Sequence, residues 1–307
     1  MKKIIILLLI ILAIIFLTGI RISASQNSKT FSDWPVLKGK YLGQKPPGMT
    51  PEIFAPSIIS TKDHIEFSCT FNPEMTEFYF ARVGGSLGHN YSIMVSKWVN
   101  GKLSDPVPVA FNTPYLENEP HITPDGRYMY FNSSRPVKGN KSIYNIWRVK
   151  KVDHRWSRPE VFRNGMFLSS AINGNIYYTD ISDTNDPGII VCAIYENNKY
   201  SQSSIVDGGV NTKYSDAHPF IAPDESYIIF DSYRPGGYTK TDIYICYKLP
   251  DNSWSDAINL GKEINLKGDT GFASISPDQK YLFFTLNEDI YWVDAKIIEE
   301  LKPNYLK

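Results

Sequence analysis

The chain has 307 residues, enough for one large domain or two ordinary ones, and its 32 Lys and Arg residues balance its 32 Asp and Glu residues. This zero net charge excludes the global basic field that nucleic-acid or anionic-membrane binding uses. The three cysteines form no CxxC or Cys/His cluster, which argues against a structural zinc site. Aromatic residues make up 14% of the chain and favour β-structure, because flat rings pack well on pleated surfaces.

The chain begins with a segment typical of export. Lys2 and Lys3 precede an apolar run, Ile4–Ile20, and the small residues Ser23–Ser25 suit cleavage. We interpret residues 1–25 as a signal peptide or, if it stays uncleaved, as an N-terminal membrane anchor. Either interpretation predicts an extracytoplasmic protein, which is secreted or is anchored to the membrane only through its N-terminal segment.

Two short segments follow before the repeats begin. Residues 26–50 are polar and then rich in turn formers, which is typical of a linker. Pro51–Ile59 has the pattern of a β-strand at a sheet edge. We predict that residues 51–303 form one β-propeller domain.

One β-unit recurs five times in this domain. Its clearest copy, Glu117–Phe131, reads ENEPHITPDGRYMYF, in which a strand enters a Pro-Asp-Gly turn and a second strand returns. Related strand pairs follow at a steady spacing, and the equivalent turn residues are Glu74, Asp125, Asn173, Asp224 and Asp278. Because each repeat of about 50 residues offers four short antiparallel strands, the pattern predicts propeller blades.

The register of the repeats also predicts the core. An aromatic residue stands six positions after the turn residue in four copies, and five positions after it in the shorter third copy: Phe80, Phe131, Tyr178, Phe230 and Phe284. An aromatic residue at one fixed place in every unit is typical of packing between blades. We also predict that Cys192 and Cys246, at matching third-strand positions, are buried free thiols.

The last repeat lacks a fourth strand and continues into a helical pattern at Asp294–Leu301. An open blade edge is a liability, so we expect Pro51–Ile59 to complete the last blade and close the ring. The predicted fold is therefore an all-β, five-bladed β-propeller with four-stranded antiparallel blades. A six-bladed ring is the alternative, but residues 27–60 offer too few strands for another blade.

The best-preserved copies carry a family resemblance. They read ITPDGRYMYFNSSRP at Ile122–Pro136, IAPDESYIIFDSYRPGG at Ile221–Gly237 and ISPDQKYLFF at Ile275–Phe284. These motifs resemble the WD40-like repeat called PD40, which is found in the propeller domain of TolB and in many exported bacterial proteins. The resemblance covers about Ile59–Val293. It implies the fold but not an activity, since propellers carry unrelated functions.

Candidate ligand-binding residues lie around the first strands. The residues eight positions before the turn residues are acidic in three copies and a threonine in the last: Glu66, Glu117, Asp216 and Thr270. Three further candidates lie close to them in the sequence: Glu119, His121 and His218. A partial acidic ring at the channel mouth would suit a divalent cation or a polyol. The alternative is that these are solvated loop residues or satisfy backbone groups of neighbouring blades. No cofactor is predicted beyond a possible divalent cation.

The sequence favours a binding function over catalysis. No spacing singles out a pair of carboxylates, and no Ser-His-Asp order or phosphate-binding loop is visible, so we assign no catalytic residue. Arg135 and Arg234 match in Ser-x-Arg-Pro, which we interpret as a structural bridge. We expect a non-catalytic propeller that binds an envelope protein or a glycan, and no nucleic acid. The alternative is a carbohydrate-active enzyme, a hydrolase or lyase, with its site at the channel mouth.

Overall fold

The computed structural model describes residues 44–85, 90–99, 102–139, 144–182, 188–265 and 268–307. The predicted signal peptide or anchor and most of the predicted linker lie outside these described residues. Within them, no helix is both long and apolar enough to cross a membrane.

The described strands assemble into five antiparallel blades. Strand β1 (Glu52–Ile53) comes first. Blade 1 contains β2 (His64–Phe71), β3 (Glu77–Gly84), β4 (Ser92–Val99), the hairpin strand β5 (Lys102–Leu103) and β6 (Val107–Pro108). Blade 2 contains β7 (Glu117–Ile122), β8 (Tyr128–Ser133), β9 (Asn145–Val152), the hairpin strand β10 (Arg155–Trp156) and β11 (Glu160–Asn164).

The remaining blades follow the same order along the chain. Blade 3 contains β12 (Met166–Ser170), β13 (Ile176–Asp180), β14 (Ile189–Ala193), a hairpin of β15 (Tyr195–Glu196) and β16 (Lys199–Tyr200), and β17 (Ser204–Ile205). Blade 4 contains β18 (Asp216–Ile221), β19 (Tyr227–Ser232), β20 (Asp242–Tyr247) and β21 (Ile258–Asn259). Blade 5 contains β22 (Thr270–Ile275), β23 (Tyr281–Leu286) and β24 (Asp289–Asp294). Helix α1 (Lys296–Leu301) follows β24, where the sequence predicted a short helix, and a 3-10 turn (Asn304–Leu306) comes after it.

The first strands surround the central channel. β2, β7, β12, β18 and β22 each contact the next in order, and β22 contacts β2. Strand β1 pairs antiparallel with β24, with Glu52 opposite Trp292 and Ile53 opposite Tyr291. The N-terminal strand therefore completes blade 5, and the five-bladed ring is closed as predicted.

The predicted position of the repeated aromatic residues in the core is also confirmed. The five aromatic residues at the fixed second-strand site are 0–4% exposed and belong to the core: Phe80, Phe131, Tyr178, Phe230 and Phe284. At the closure, the fully buried ring of Phe54 contacts Phe78, Phe283 and Trp292, with centroid distances of 5.0, 5.0 and 5.3 Å. The three cysteines are free, and Cys246 is buried, whereas Cys192 is only partly buried.

A feature that the sequence did not predict recurs in every first strand. Each contains a β-bulge, at which one residue adopts a positive φ between 45° and 56°: Ser68, Glu119, Phe167, His218 and Phe272. Glycine is absent from all five places, although a positive φ strains other residues. A bulge of this kind changes the direction of side chains along the strand. The rings of Phe167, His218 and Phe272 meet across the channel, with centroids 4.2–6.0 Å apart.

Candidate functional site

Three of the predicted acidic residues lie inside the first strands rather than at the channel mouth. Glu66, Glu117 and Asp216 are 0% exposed. Each pairs with an arginine of its own blade at 2.6–2.8 Å and accepts a hydrogen bond from a threonine: Arg82 and Thr61 for Glu66, Arg135 and Thr113 for Glu117, Arg234 and Thr212 for Asp216.

These groups tie each blade to the segment that enters it. Arg82, Arg135 and Arg234 also donate to main-chain carbonyls of the preceding connection: those of Ile59, Phe111 and Val210, at 2.6–2.8 Å. Arg135 and Arg234 are therefore structural, as the sequence predicted. Arg82 was missed, because its spacing from the turn differs from theirs. Thr270, the fourth member of the predicted set, is buried in β22.

Hydrogen bonds between backbone N–H groups and side chains of neighbouring blades surround the channel at two levels, which we call rungs. In the first rung, the bulge N–H donates to a second-strand side chain of the preceding blade at 3.0–3.3 Å: Ser68 to Thr285, Phe167 to Asn132, His218 to Thr179 and Phe272 to Asp231. The bulge residue of blade 2, Glu119, is the exception. The equivalent second-strand residue of the preceding blade is Ala81, whose side chain has no acceptor for the Glu119 N–H. Such a hydrogen bond satisfies the buried N–H of the bulge residue, because the bulge takes this N–H out of the hydrogen bonding of its own sheet.

His121 belongs to a second rung. There, a first-strand side chain accepts from a backbone N–H of the next blade: Thr70 from Ile122, His121 from Ser170 and Ser169 from Ile221. The His121 Nε2 atom accepts at 3.1 Å and also lies 2.9 Å from Ser170 Oγ. Nε2 is therefore an acceptor, and burial in the ring lowers the pKa of His121 to about 4. A base this weak would not activate the Ser170 hydroxyl at neutral pH.

A cavity of about 300 Å³ occupies the end of the channel at which the first strands enter their turns. The residue before the turn residue lines it in every blade, and together these five form an apolar rim: Pro73, Pro124, Ile172, Pro223 and Pro277. Deeper in the strands, Glu119, His121, Phe167 and the hydroxyls of Ser170 and Ser274 contribute to the wall. Few polar groups in a largely apolar cavity are typical of small-ligand sites.

Glu119 is the acidic residue of this lining, and it is 5% exposed. Its Oε2 accepts the Phe167 N–H at 3.1 Å, and its Oε1 lies 4.0 Å from Nε2 of His218. Burial raises the pKa of Glu119 to about 7, although His218 and the Phe167 N–H act in the opposite direction. Both protonation states of the carboxyl group are therefore populated near neutral pH.

His218 lies behind Glu119 and is held by Asp231. The Asp231 carboxylate oxygens lie 2.9 and 3.0 Å from His218 Nδ1, whereas Nε2 is buried and has no hydrogen-bond partner among the described residues. Burial lowers the pKa of His218, but the carboxylates of Asp231 and Glu119 outweigh it and raise the pKa above its ordinary value. Asp231 thus fixes the imidazole so that Nε2 faces Glu119.

The structure brings together three of the six predicted ligand-binding residues, Glu119, His121 and His218. Sequence reasoning missed Asp231, Phe167 and Phe272. The turn register holds a signal for two of them, since Phe167 and Phe272 stand six positions before their turn residues, as Glu119 and His218 do. Among the described residues, no three His, Cys, Asp or Glu side chains are grouped so that they could hold a metal ion.

No protein-family model and no curated protein matches the sequence. Among solved structures, the GH43 endo-arabinanase from Bacillus licheniformis shares 14% identity over 76% of this chain and 94% of its own, with a TM-score of 0.48. A gluconolactonase from Xanthomonas campestris shares 9% over 81% and 96%, with a TM-score of 0.46. A puromycin-hydrolyzing peptidase from Mycobacterium tuberculosis shares 12% over 66% of this chain, which spans only 30% of the peptidase, with a TM-score of 0.40. At these values the likenesses carry no argument about function.

Proposed function

We propose that this protein is an exported, non-catalytic propeller of the PD40 type that binds a glycan at the cell envelope, in the cavity at the turn end of its channel. The observation that carries the proposal is the cavity itself, which combines an apolar rim with one buried carboxyl group. Its volume of about 300 Å³ lies at the lower end of the range of ligand sites, roughly 300–1,000 Å³.

The chemistry of the wall favours a neutral polyhydroxyl ligand. Near neutral pH the Glu119 carboxyl group both donates and accepts hydrogen bonds, because its pKa is about 7. Sugar hydroxyls have the same dual capacity. The Ser170 and Ser274 hydroxyls add donors and acceptors without charge, and Cys69 stays a neutral thiol, since burial raises its pKa to about 12.

A second candidate function is acid–base catalysis on a carbohydrate in the same cavity. It is favoured by one observation, the raised pKa of Glu119 beside an imidazole that Asp231 orients. Glycoside hydrolysis by two carboxylates fits poorly, because Asp231 faces His218 and does not line the cavity. A reaction in which one carboxyl group transfers the proton suits this arrangement better.

Thermal unfolding of the full-length protein with a panel of neutral mono- and oligosaccharides tests the proposal, with the same samples assayed for products. A ligand that binds only the folded state raises the melting midpoint. We expect a shift with at least one sugar, a smaller shift in Glu119→Gln, and an unchanged shift in Glu263→Gln, an exposed control. Product that disappears in Glu119→Gln would support the second candidate, and the absence of any shift would overturn both.

A further inference from the structure

We propose that the ligand is a linear, neutral oligosaccharide whose terminal unit enters the channel cavity and whose following units lie in a groove between blades 2 and 3. This inference rests on the proposed function and adds the form of the ligand. It predicts that recognition extends beyond the channel, over the surface between blades 2 and 3.

The groove is a second cavity, of about 140 Å³, and it adjoins the first. Four residues line both cavities: Thr123, Pro124, Ser170 and Ile172. Ile172, one of these shared residues, is apolar and 74% exposed. A ligand that extends out of the channel cavity past these residues would therefore contact the groove.

The groove lies where the repeat departs from its pattern. Blade 3 has Ile172-Asn173-Gly174 in place of Pro-Asp-Gly, and its hairpin of β15 and β16 carries Tyr195 and Tyr200. Gly174 has φ +93°, and a Cβ atom there would lie only 2.7 Å from Cδ1 of Tyr195. The absence of a Cβ atom at position 174 therefore leaves room for the Tyr195 ring.

Four tyrosines line the groove: Tyr128, Tyr130, Tyr195 and Tyr200. Tyr195 packs against Tyr200 with centroids 4.9 Å apart, and the hydroxyl groups of Tyr130 and Tyr200 lie 3.4 Å apart. Tyr128 is the fourth of these tyrosines. The guanidinium carbon of Arg148 lies over its ring, 5.0 Å from the ring centroid. Such rings present flat apolar faces together with polar hydroxyl groups. A sugar unit, with its C–H faces and its hydroxyl edge, matches both.

The charges of the groove are paired, which argues against an ionic ligand. Nε of Arg127 lies 2.6 Å from Oδ2 of Asp125, and Nε of Arg148 lies 2.9 Å from Oε1 of Glu160. Each arginine of the groove thus already has a carboxylate partner, although Glu160 itself does not line the groove, and this reduces the attraction of the groove for an acidic chain. Its charged and amide groups still donate and accept hydrogen bonds, which is what neighbouring hydroxyl groups of a neutral sugar require.

Isothermal titration calorimetry on the full-length protein tests the inference. The probes are neutral gluco-, xylo-, arabino- and N-acetylglucosamine oligomers of one to six units, and oligogalacturonates serve as acidic counterparts. For at least one neutral series we expect affinity to increase with length. We expect Tyr195→Ala to lower the affinity for the longer oligomers by roughly tenfold, as the loss of one aromatic contact would, and to leave the monosaccharide unaffected.

Tyr238→Ala is the matched control, since Tyr238 is 60% exposed on the loop between β19 and β20 of blade 4, away from the turn end of the channel. Glu119→Gln should weaken the binding of short and long oligomers alike. If Glu119→Gln weakens binding but Tyr195→Ala does not change the length dependence, the groove inference is wrong and the proposed function stands. Tighter binding of the acidic series would also overturn the inference. Failure of every neutral sugar to bind would overturn both.

Discussion

Oε1 of Glu119 in blade 2 lies 4.0 Å from Nε2 of His218 in blade 4, so two bulge residues of non-adjacent blades meet in the channel. Both residues lie at a bulge, where the pairing of the first strand shifts and side-chain directions change. Asp231 holds the imidazole from the opposite side. The result is a buried carboxylate–imidazole–carboxyl series, of which Glu119 is the member that lines the cavity.

The buried carboxyl group should make stability depend on pH. The folded protein holds the Glu119 proton up to about pH 7, whereas an unfolded glutamate loses it near 4.5. The stabilisation is therefore complete below about pH 4.5 and is lost as pH rises through 7. Between pH 5 and 8, the unfolding free energy of the wild type should therefore fall by about 3 kcal/mol, as measured by urea denaturation. In Glu119→Gln we expect this fall to be absent. The same slope in Glu119→Gln and wild type would contradict the raised pKa.

His121 should act with the opposite sign. Its folded pKa of about 4 lies below the unfolded value of 6.5, so its stabilisation is present above pH 6.5 and is lost as pH falls towards 4. Glutamine at this position retains an acceptor for the Ser170 N–H. In denaturation series from pH 7 to 4, His121→Gln should lose about 1–3 kcal/mol less than the wild type. The exposed control His154→Asn should follow the wild type, and a wild-type slope in His121→Gln would count against the assignment.

The buried ion pairs should be far more sensitive to truncation than an exposed pair. Arg135→Leu leaves the fully buried Glu117 without its cation, so we expect a loss of about 3–5 kcal/mol in unfolding free energy. Adding Glu117→Gln should restore part of it, because the uncompensated charge is then removed. Arg127→Leu breaks an exposed pair with Asp125 and should not change the melting midpoint measurably. Equal effects of the two arginine substitutions would refute this account.

Ring closure should depend on one aromatic side chain. Phe54 follows β1 and packs fully buried among Phe78, Phe283 and Trp292. Phe54→Ala should cost about 3–5 kcal/mol through lost burial and the cavity left behind. Glu52→Ala, within β1 itself but exposed, is the control for a change near the closure that buries nothing. Calorimetric melting that finds Phe54→Ala as stable as Glu52→Ala would show that closure does not depend on this cluster.

The repeat made the fold predictable, and the same repeat misdirected the search for the site. Positions shared by several copies stood out, and Glu66, Glu117 and Asp216 were such positions. The structure shows why residues recur there, since they bind the arginine and threonine of each blade connection. Glu119 and His218 differ from their counterparts Phe167 and Phe272, and such differences between copies are what a ligand site in a repeat protein requires.

The sequence alone determined the propeller fold, the strand order, the aromatic core and the closing strand, because these follow from local periodicity repeated five times, and it favoured five blades over six. Only the tertiary structure decided which side chains face the channel. A bulge changes the direction of one residue without a glycine or proline to mark it, so alternation along the strand predicts the wrong neighbours. The proximity of Glu119, His218 and Asp231, and of the cavity to the Tyr195 groove, arises from the closed ring that places distant blades together.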